Sequence, residues 1–216
     1  NFAVRLRNPI FKKIHYFSAL VFAAPFIFHA AANAEGVTTP AIPGVVNAGT
    51  PVQFIKEGFE GTEGPIAAPD GSLLFTETRA NRITRIAADN SISTFLENSN
   101  GSNGLAFAAN GDLITVQVNN NQVGVIYPKG REKVLVKDFE GQAFQRTNDL
   151  VLAKNGGVYF TDSGPGQDVK AEPRTAVYYI NPKGQTKRVV DINEIQRPNG
   201  IQLSRDEKTL YVANTG

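Results

Sequence analysis

The sequence lacks three residue types that often carry chemistry or cross-links. Among its 216 residues there is no cysteine, no methionine and no tryptophan. Without cysteine the chain can form no disulfide, so its fold must be held by its core. Both histidines, His15 and His29, lie in the first 34 residues. Residues 35–216 therefore contain no Ser-His-Asp or Cys-His site, and no zinc site built from His or Cys. Carboxylate, amide, hydroxyl and carbonyl oxygens remain, and these suit Ca²⁺, Mg²⁺ or Mn²⁺.

The N-terminal segment has the pattern of a secretory signal peptide. A basic region is followed by an apolar run from Tyr16 to Ala32 and by the small-x-small sequence Ala32-Asn33-Ala34. We therefore predict a signal peptide over residues 1–34 and an exported protein, periplasmic or secreted. The alternative is an uncleaved membrane anchor, but the apolar run is short and contains Pro25, which favours cleavage. The basic residues are Arg5, Arg7, Lys12 and Lys13.

Removal of this segment changes the charge balance. It takes away four of the 22 lysines and arginines and none of the 20 acidic residues, which leaves 18 against 20 and a net charge of −2. This balance does not favour nucleic acid or a membrane surface as a partner. Residues 35–52 are rich in Gly, Pro, Ala and Thr without periodicity, and we predict a linker there.

From residue 53 onward the sequence repeats itself. Four aligned segments start at residues 63, 103, 148 and 199, with spacings of 40, 45 and 51. Each opens with an acid or amide and continues with a short apolar strand, a polar turn and a second apolar strand. The first three units add a third and a fourth strand. A repeat of this length with four short strands predicts a β-propeller blade. We therefore expect an all-β partial propeller over residues 53–216, with three and a half blades and further blades beyond Gly216.

Glu63, Asn103, Asn148 and Asn199 share one repeat position, just before an innermost strand. Innermost strands line the central channel of a propeller, so these side chains should meet at one depth. One carboxylate with several amide oxygens suits a hard cation. The alternative is that Asn103-Gly104 and Asn199-Gly200 are simply turns. The strand-joining turns are already supplied, however, by Asp70-Gly71, Asn110-Gly111 and Asn155-Gly156.

Several short motifs resemble the family of gluconolactonase, regucalcin and diisopropyl-fluorophosphatase. Their order and spacing, more than any one of them, carry the resemblance, which covers roughly residues 54–216 and implies a six-bladed propeller. The motifs are Thr62-Glu63-Gly64-Pro65, Arg146-Thr147-Asn148-Asp149, Tyr159-Phe160-Thr161-Asp162, Arg197-Pro198-Asn199-Gly200 and the stretch from Thr209 to Gly216.

The resemblance implies roles for individual residues. Glu63, Asn148 and Asn199 would bind a divalent cation directly, with Ca²⁺ favoured and Mg²⁺, Mn²⁺ or Zn²⁺ as alternatives. Arg146 and, more loosely, Asn103 would contact the substrate. A metal-bound catalytic Asp is expected on a later blade, beyond Gly216. Asp149 and Asp162 are expected to be structural.

The implied activity is the opening of sugar-type lactones, with the cation acting as a Lewis acid on the carbonyl. The second blade departs from related gluconolactonases, because Thr115-Val116-Gln117-Val118 stands where they often carry an acid followed by His. We expect these 216 residues alone to be inactive. The alternatives are a non-enzymatic propeller that binds a partner, a phosphotriesterase-type hydrolase and a strictosidine synthase-like protein.

Overall fold

The computed structural model describes residues 33–166 and 170–216. Almost all of the predicted signal peptide, residues 1–34, lies outside the described residues, so its cleavage stays a prediction. In the described ranges the regular elements are strands. Accordingly, these ranges hold no helix of the length and apolarity needed to cross a bilayer.

A small N-terminal unit ends at Gly58. Strand β1 (Asn33–Thr38) pairs antiparallel with β2 (Pro51–Gln53). A single bridge between Ile42 and Val46 lies in the segment that joins them. The stretch predicted as a linker, residues 35–52, thus carries paired strands, because its Gly and Pro residues permit the turns that bring the two ends together.

The second unit begins at Phe59 and consists of consecutive antiparallel sheets. The first blade contains β3 (Thr62–Ala67), β4 (Leu73–Glu77), β5 (Arg82–Ile86) and β6 (Ile92–Glu97). The second contains β7 (Ser102–Phe107), β8 (Leu113–Gln117), β9 (Gln122–Tyr127) and β10 (Lys133–Val136). A short pair follows, formed by β11 (Asp138–Phe139) and β12 (Gln142–Ala143). The third blade contains β13 (Thr147–Leu152), β14 (Val158–Asp162), β15 (Ala176–Ile180) and β16 (Thr186–Val190). The last sheet contains β17 (Pro198–Leu203) and β18 (Leu210–Asn214).

The strands of each blade follow one another in sequence order across the sheet. This arrangement confirms the all-β propeller fold, with three four-stranded blades and the first two strands of another. The strand-joining turns lie where the sequence predicts them. Asp70, Asn110 and Asn155 each use a side-chain oxygen to accept the N–H two residues on. The glycines between them have positive φ, a conformation that suits residues without a Cβ.

The apolar core lies between adjacent blades. Leu74 and Ile83 of the first blade pack with Leu105 and Leu113 of the second. The largest cluster joins the second and third blades and includes Phe160 at 0% exposure. A third cluster links the third blade to β17 and β18. Each sheet therefore buries its faces against its neighbours, and this packing fixes the positions of the innermost strands.

Glu77, at the end of β4, is a fully buried carboxylate with a dense set of partners. Arg82 donates to it from Nε (2.8 Å) and Nη2 (3.0 Å), Thr84 donates its hydroxyl, and Glu60 donates its backbone N–H. Burial by itself opposes ionisation of this carboxyl. The hydrogen bonds from Arg82, Thr84 and Glu60 outweigh burial and lower the pKa of Glu77 to about 2.

We expect Glu77→Gln to destabilise the protein by roughly 2 kcal/mol at neutral pH, because Arg82 loses its charged partner. The folded pKa of Glu77 lies below its unfolded value. Its stabilisation is therefore present above about pH 4.5 and is lost as pH falls towards 2. Urea unfolding at several pH values should show that, at acidic pH, the free energy of unfolding falls less steeply with decreasing pH in the variant than in wild type. Glu172→Gln, which removes an exposed carboxylate between β14 and β15, is the control. Identical pH profiles for Glu77→Gln and wild type would contradict this assignment.

Candidate functional site

The four predicted residues occupy equivalent places in the fold. Glu63, Asn103, Asn148 and Asn199 are each the second residue of an innermost strand, in β3, β7, β13 and β17 respectively. These innermost strands pack against one another in succession. All four residues line a single cavity of about 340 Å³. The structure thus brings together the set that the repeat pattern predicts.

An irregularity in strand pairing occurs at the same point in each innermost strand. The register shifts between Glu63 and Ile66, and equivalent shifts follow Ser102, Thr147 and Pro198. Such bulges redirect side chains and are frequent at binding sites. Asn103-Gly104 and Asn199-Gly200 lie inside β7 and β17, and not in the tight turns that their composition also permits.

The site residues differ in burial. Asn148 and Asn103 are 6% and 8% exposed, Asn199 is half-buried and Glu63 is exposed. The side-chain oxygen of Asn148 is buried and has no hydrogen-bond partner among the described residues. A buried acceptor left in this state is costly. An amide oxygen without a donor, beside a carboxylate in one cavity, fits a divalent cation as the missing partner.

The electrostatics of the cavity also favour a cation. Desolvation by burial raises the pKa of Glu63, and the negative charge of Asp149 raises it further by a smaller amount. Burial raises the pKa of Asp149 against the effect of hydrogen bonds from the backbone of Ile201 and Leu150. Both pKa values are raised because the cavity disfavours negative charge, and a positive charge in the cavity would favour the ionised carboxylates. Among residues 33–166 and 170–216 no cluster of three or more His, Cys, Asp and Glu side chains could hold a metal.

Close approach of the innermost strands holds the site together. A Cβ on Gly64, whose φ is +48°, would lie 2.2 Å from the backbone oxygen of Asn103. Thr76 of β4 donates its hydroxyl to that same oxygen at 3.1 Å. In the third blade, Thr161 donates to the backbone oxygen of Asn199 at 2.8 Å. Threonines on second strands thus fix the backbone of site residues in the next sheet.

Two other residues predicted to have roles lie apart from the four. Arg146 is half-buried and does not line the cavity in the described structure. Its backbone N–H donates to Asp162 at 2.7 Å. Asp162 also accepts N–H groups from Gln145 and Gly164, as expected of a structural residue. A substrate role for Arg146 stays a prediction.

Repeat alignment missed a second polar position, at the end of each second strand. These residues lie opposite the first residue of the innermost strand, and three of them accept backbone N–H groups from the segment that leads into it. Gln117 instead accepts from the side chain of Asn100. In the sequence, this position could have been recognised by the polar residue that follows each apolar second strand. The position is occupied by Glu77, Gln117, Asp162 and Asn214.

Comparison with known proteins agrees with the repeat pattern and the cavity. Residues 61–216 match the family described as SMP-30/gluconolactonase/LRE-like region. The chain belongs to this SMP-30/gluconolactonase-like family. It is 30% identical over 200 residues to a gluconolactonase of Zymomonas mobilis. The aligned region covers 82% of this chain and 55% of that protein.

Solved structures show the same likeness. A gluconolactonase from Xanthomonas campestris superposes with a TM-score of 0.67 at 26% identity, over 76% of this chain and 57% of the other. A regucalcin from Agrobacterium tumefaciens, described as calcium-binding, shares the fold with a TM-score of 0.59 at 17% identity. That match covers 74% of this chain and 53% of the regucalcin. This family member therefore spans little more than half the length of the relatives it matches.

The close approach at Gly104 predicts a specific destabilisation. A Cβ there would lie 2.2 Å from Oδ1 of Asp149 and close to backbone atoms of β13. Gly104→Ala should therefore lower the free energy of unfolding, measured with urea, by about 3 kcal/mol. Gly200 occupies the equivalent position in β17, where a Cβ would lie 3.7 Å from Oδ2 of Asp149. Gly200→Ala should therefore change stability by less than about 1 kcal/mol. Equal losses in the two variants would contradict the packing described here.

Proposed function

We propose that the intact protein is a metal-dependent lactonase that opens sugar-type lactones. The observation that carries this proposal is the buried, unpartnered oxygen of Asn148 in the same cavity as Glu63. The gluconolactonases to which the chain is similar support the choice of a lactone as substrate. Because the chain spans about half of those proteins, activity and substrate belong to the whole protein and remain proposals.

Glu63, Asn148 and Asn199 would hold the cation, which we propose to be Ca²⁺. The mixture of one carboxylate and amide oxygens matches the hard, flexible oxygen shell of Ca²⁺ better than the nitrogen and sulfur ligands preferred by Zn²⁺. A bound divalent cation supplies Lewis-acid polarisation of a carbonyl and stabilises developing negative charge on its oxygen.

The remaining residues would orient the lactone and control water. Asn103 is buried and lines the same cavity as Asn148, and its side-chain amide can donate to a substrate oxygen. The apolar walls of the cavity, which include Ile66 and Leu105, would limit water around the reacting carbonyl. Glu63 and Asp149 are the carboxylates that line the described cavity. We propose that the group that activates water is an Asp of a later blade.

We expect Glu63→Gln to raise the Kd for Ca²⁺ by about tenfold or more, because a charged ligand becomes a neutral one. Calorimetry on the intact protein would measure this, with hydrolysis of a gluconolactone panel before and after chelation as the second readout. Glu97→Gln removes the same charge outside the cavity and serves as the control. Equal affinity in Glu63→Gln and wild type would refute the metal assignment. Tight Ca²⁺ binding with no turnover of any lactone would favour a non-enzymatic binding module.

Export of the protein to the periplasm or the medium is also part of this proposal. It rests on the basic region, apolar run and small-x-small sequence of residues 1–34. Fractionation of producing cells followed by N-terminal sequencing should recover a chain that begins at Glu35. Recovery from the membrane fraction with residues 1–34 still attached would instead support an anchor.

A further inference from the structure

The residue that follows each site residue differs in one blade. Gly64, Gly104 and Gly200 follow Glu63, Asn103 and Asn199, but Asp149 follows Asn148. Three of the four equivalent positions thus lack a side chain, and the fourth carries a carboxylate. At Gly64 and Gly104 the missing Cβ allows neighbouring strands to approach closely, so a charged side chain at the equivalent position of β13 requires an explanation.

The Asp149 carboxylate connects two innermost strands by hydrogen bonds. Its Oδ1 accepts the N–H of Leu150, in its own strand β13, at 2.8 Å. Its Oδ2 accepts the N–H of Ile201, in β17, at 3.0 Å. The backbone N–H of Asp149 donates to the hydroxyl of Thr161 at 3.1 Å. The same hydroxyl donates to the backbone oxygen of Asn199, so Asp149 and Asn199 share one partner.

The carboxylate also occupies the space beside a third innermost strand. The position of a Cβ on Gly104, in β7, would lie 2.2 Å from Oδ1 of Asp149. Because Gly104 has no Cβ, the Asp149 side chain can lie against the backbone of β7. One side chain therefore meets the three strands that carry Asn103, Asn148 and Asn199, and it lines the same cavity as they do.

We propose that Asp149 is the positioning residue of the site, which fixes the separations of Asn103, Asn148 and Asn199 and adds a second negative charge behind the cation. This inference rests on the proposed function, since it assigns a role in cation binding. Asp149 does not itself need to touch the ion. Partners of this kind, which orient ligands without binding the ion, typically change metal affinity by about 10–100-fold when they are removed.

The test is Asp149→Asn in the intact protein. The amide keeps the shape of the side chain but replaces one acceptor oxygen with an NH₂ group, which cannot accept from Leu150 or Ile201. We expect the Kd for Ca²⁺ from calorimetry to rise about tenfold or more. The lactone KM should rise as well, because substrate contacts depend on the same separations. Thermal unfolding without metal measures the purely structural part of the effect.

Asp112→Asn is the matched control. Asp112 is also a buried carboxylate that accepts hydrogen bonds, from the side chains of Asn110 and Arg131, but it lies just before β8 and outside the cavity lining. It should lose stability in the metal-free protein and keep the wild-type Kd. If Asp149→Asn is unfolded without metal, the Ca²⁺ concentration that restores folding replaces the calorimetric Kd, since binding to the folded state alone drives refolding.

The outcomes separate this inference from the proposed function. Wild-type protein that binds no divalent cation would overturn both. If wild type binds Ca²⁺ and Asp149→Asn binds it equally well, whatever its stability, the positioning role is wrong while the lactonase proposal stands. Weaker binding in Asp149→Asn together with unchanged binding in Asp112→Asn would support the role.

Discussion

The structure depends on polar side chains that neighbouring innermost strands hold together in one cavity. Each innermost strand contributes one such side chain, at a bulge near its start. The innermost strands can approach closely there because glycines follow the site residues in β3 and β7. The result concentrates oxygen atoms in a partly desolvated place, where an unpartnered amide oxygen and a pair of carboxylates both favour a cation. Packing of the apolar faces between blades supplies the free energy that holds this arrangement.

The support for these side chains comes from outside the cavity. Thr76 and Thr161 donate to the backbone oxygens of Asn103 and Asn199 in the next sheet, so adjacent blades are coupled at the site itself. At the end of each second strand a polar residue fixes the chain that enters the innermost strand. In the first blade this residue is Glu77, a buried carboxylate that accepts two hydrogen bonds from Arg82. The geometry of the cavity is therefore a property of several sheets together.

Much of the fold could be predicted from the sequence because each sequence repeat corresponds to one blade. Equivalent positions in a repeat take equivalent places in the fold, so the strands, their turns and the convergence of Glu63 with the three asparagines all followed from alignment. The dipeptides Asn103-Gly104 and Asn199-Gly200 illustrate the limit of local reasoning. Their composition suits a turn, yet both lie inside strands, and Gly104 leaves room for the Asp149 side chain beside β7. Contacts between strands far apart in sequence leave no periodic signal. The alignment therefore could not reveal the hydrogen bond from Ile201 to Asp149, or that Arg146 lies outside the cavity lining.

A crystal structure of the intact protein grown with Ca²⁺ tests the proposed cation site directly. We predict an ion in the cavity with side-chain oxygens of Glu63, Asn148 and Asn199 at about 2.3–2.6 Å. An ion bound elsewhere, or an Asn148 oxygen that accepts a hydrogen bond from protein while the cavity binds no cation, would contradict it.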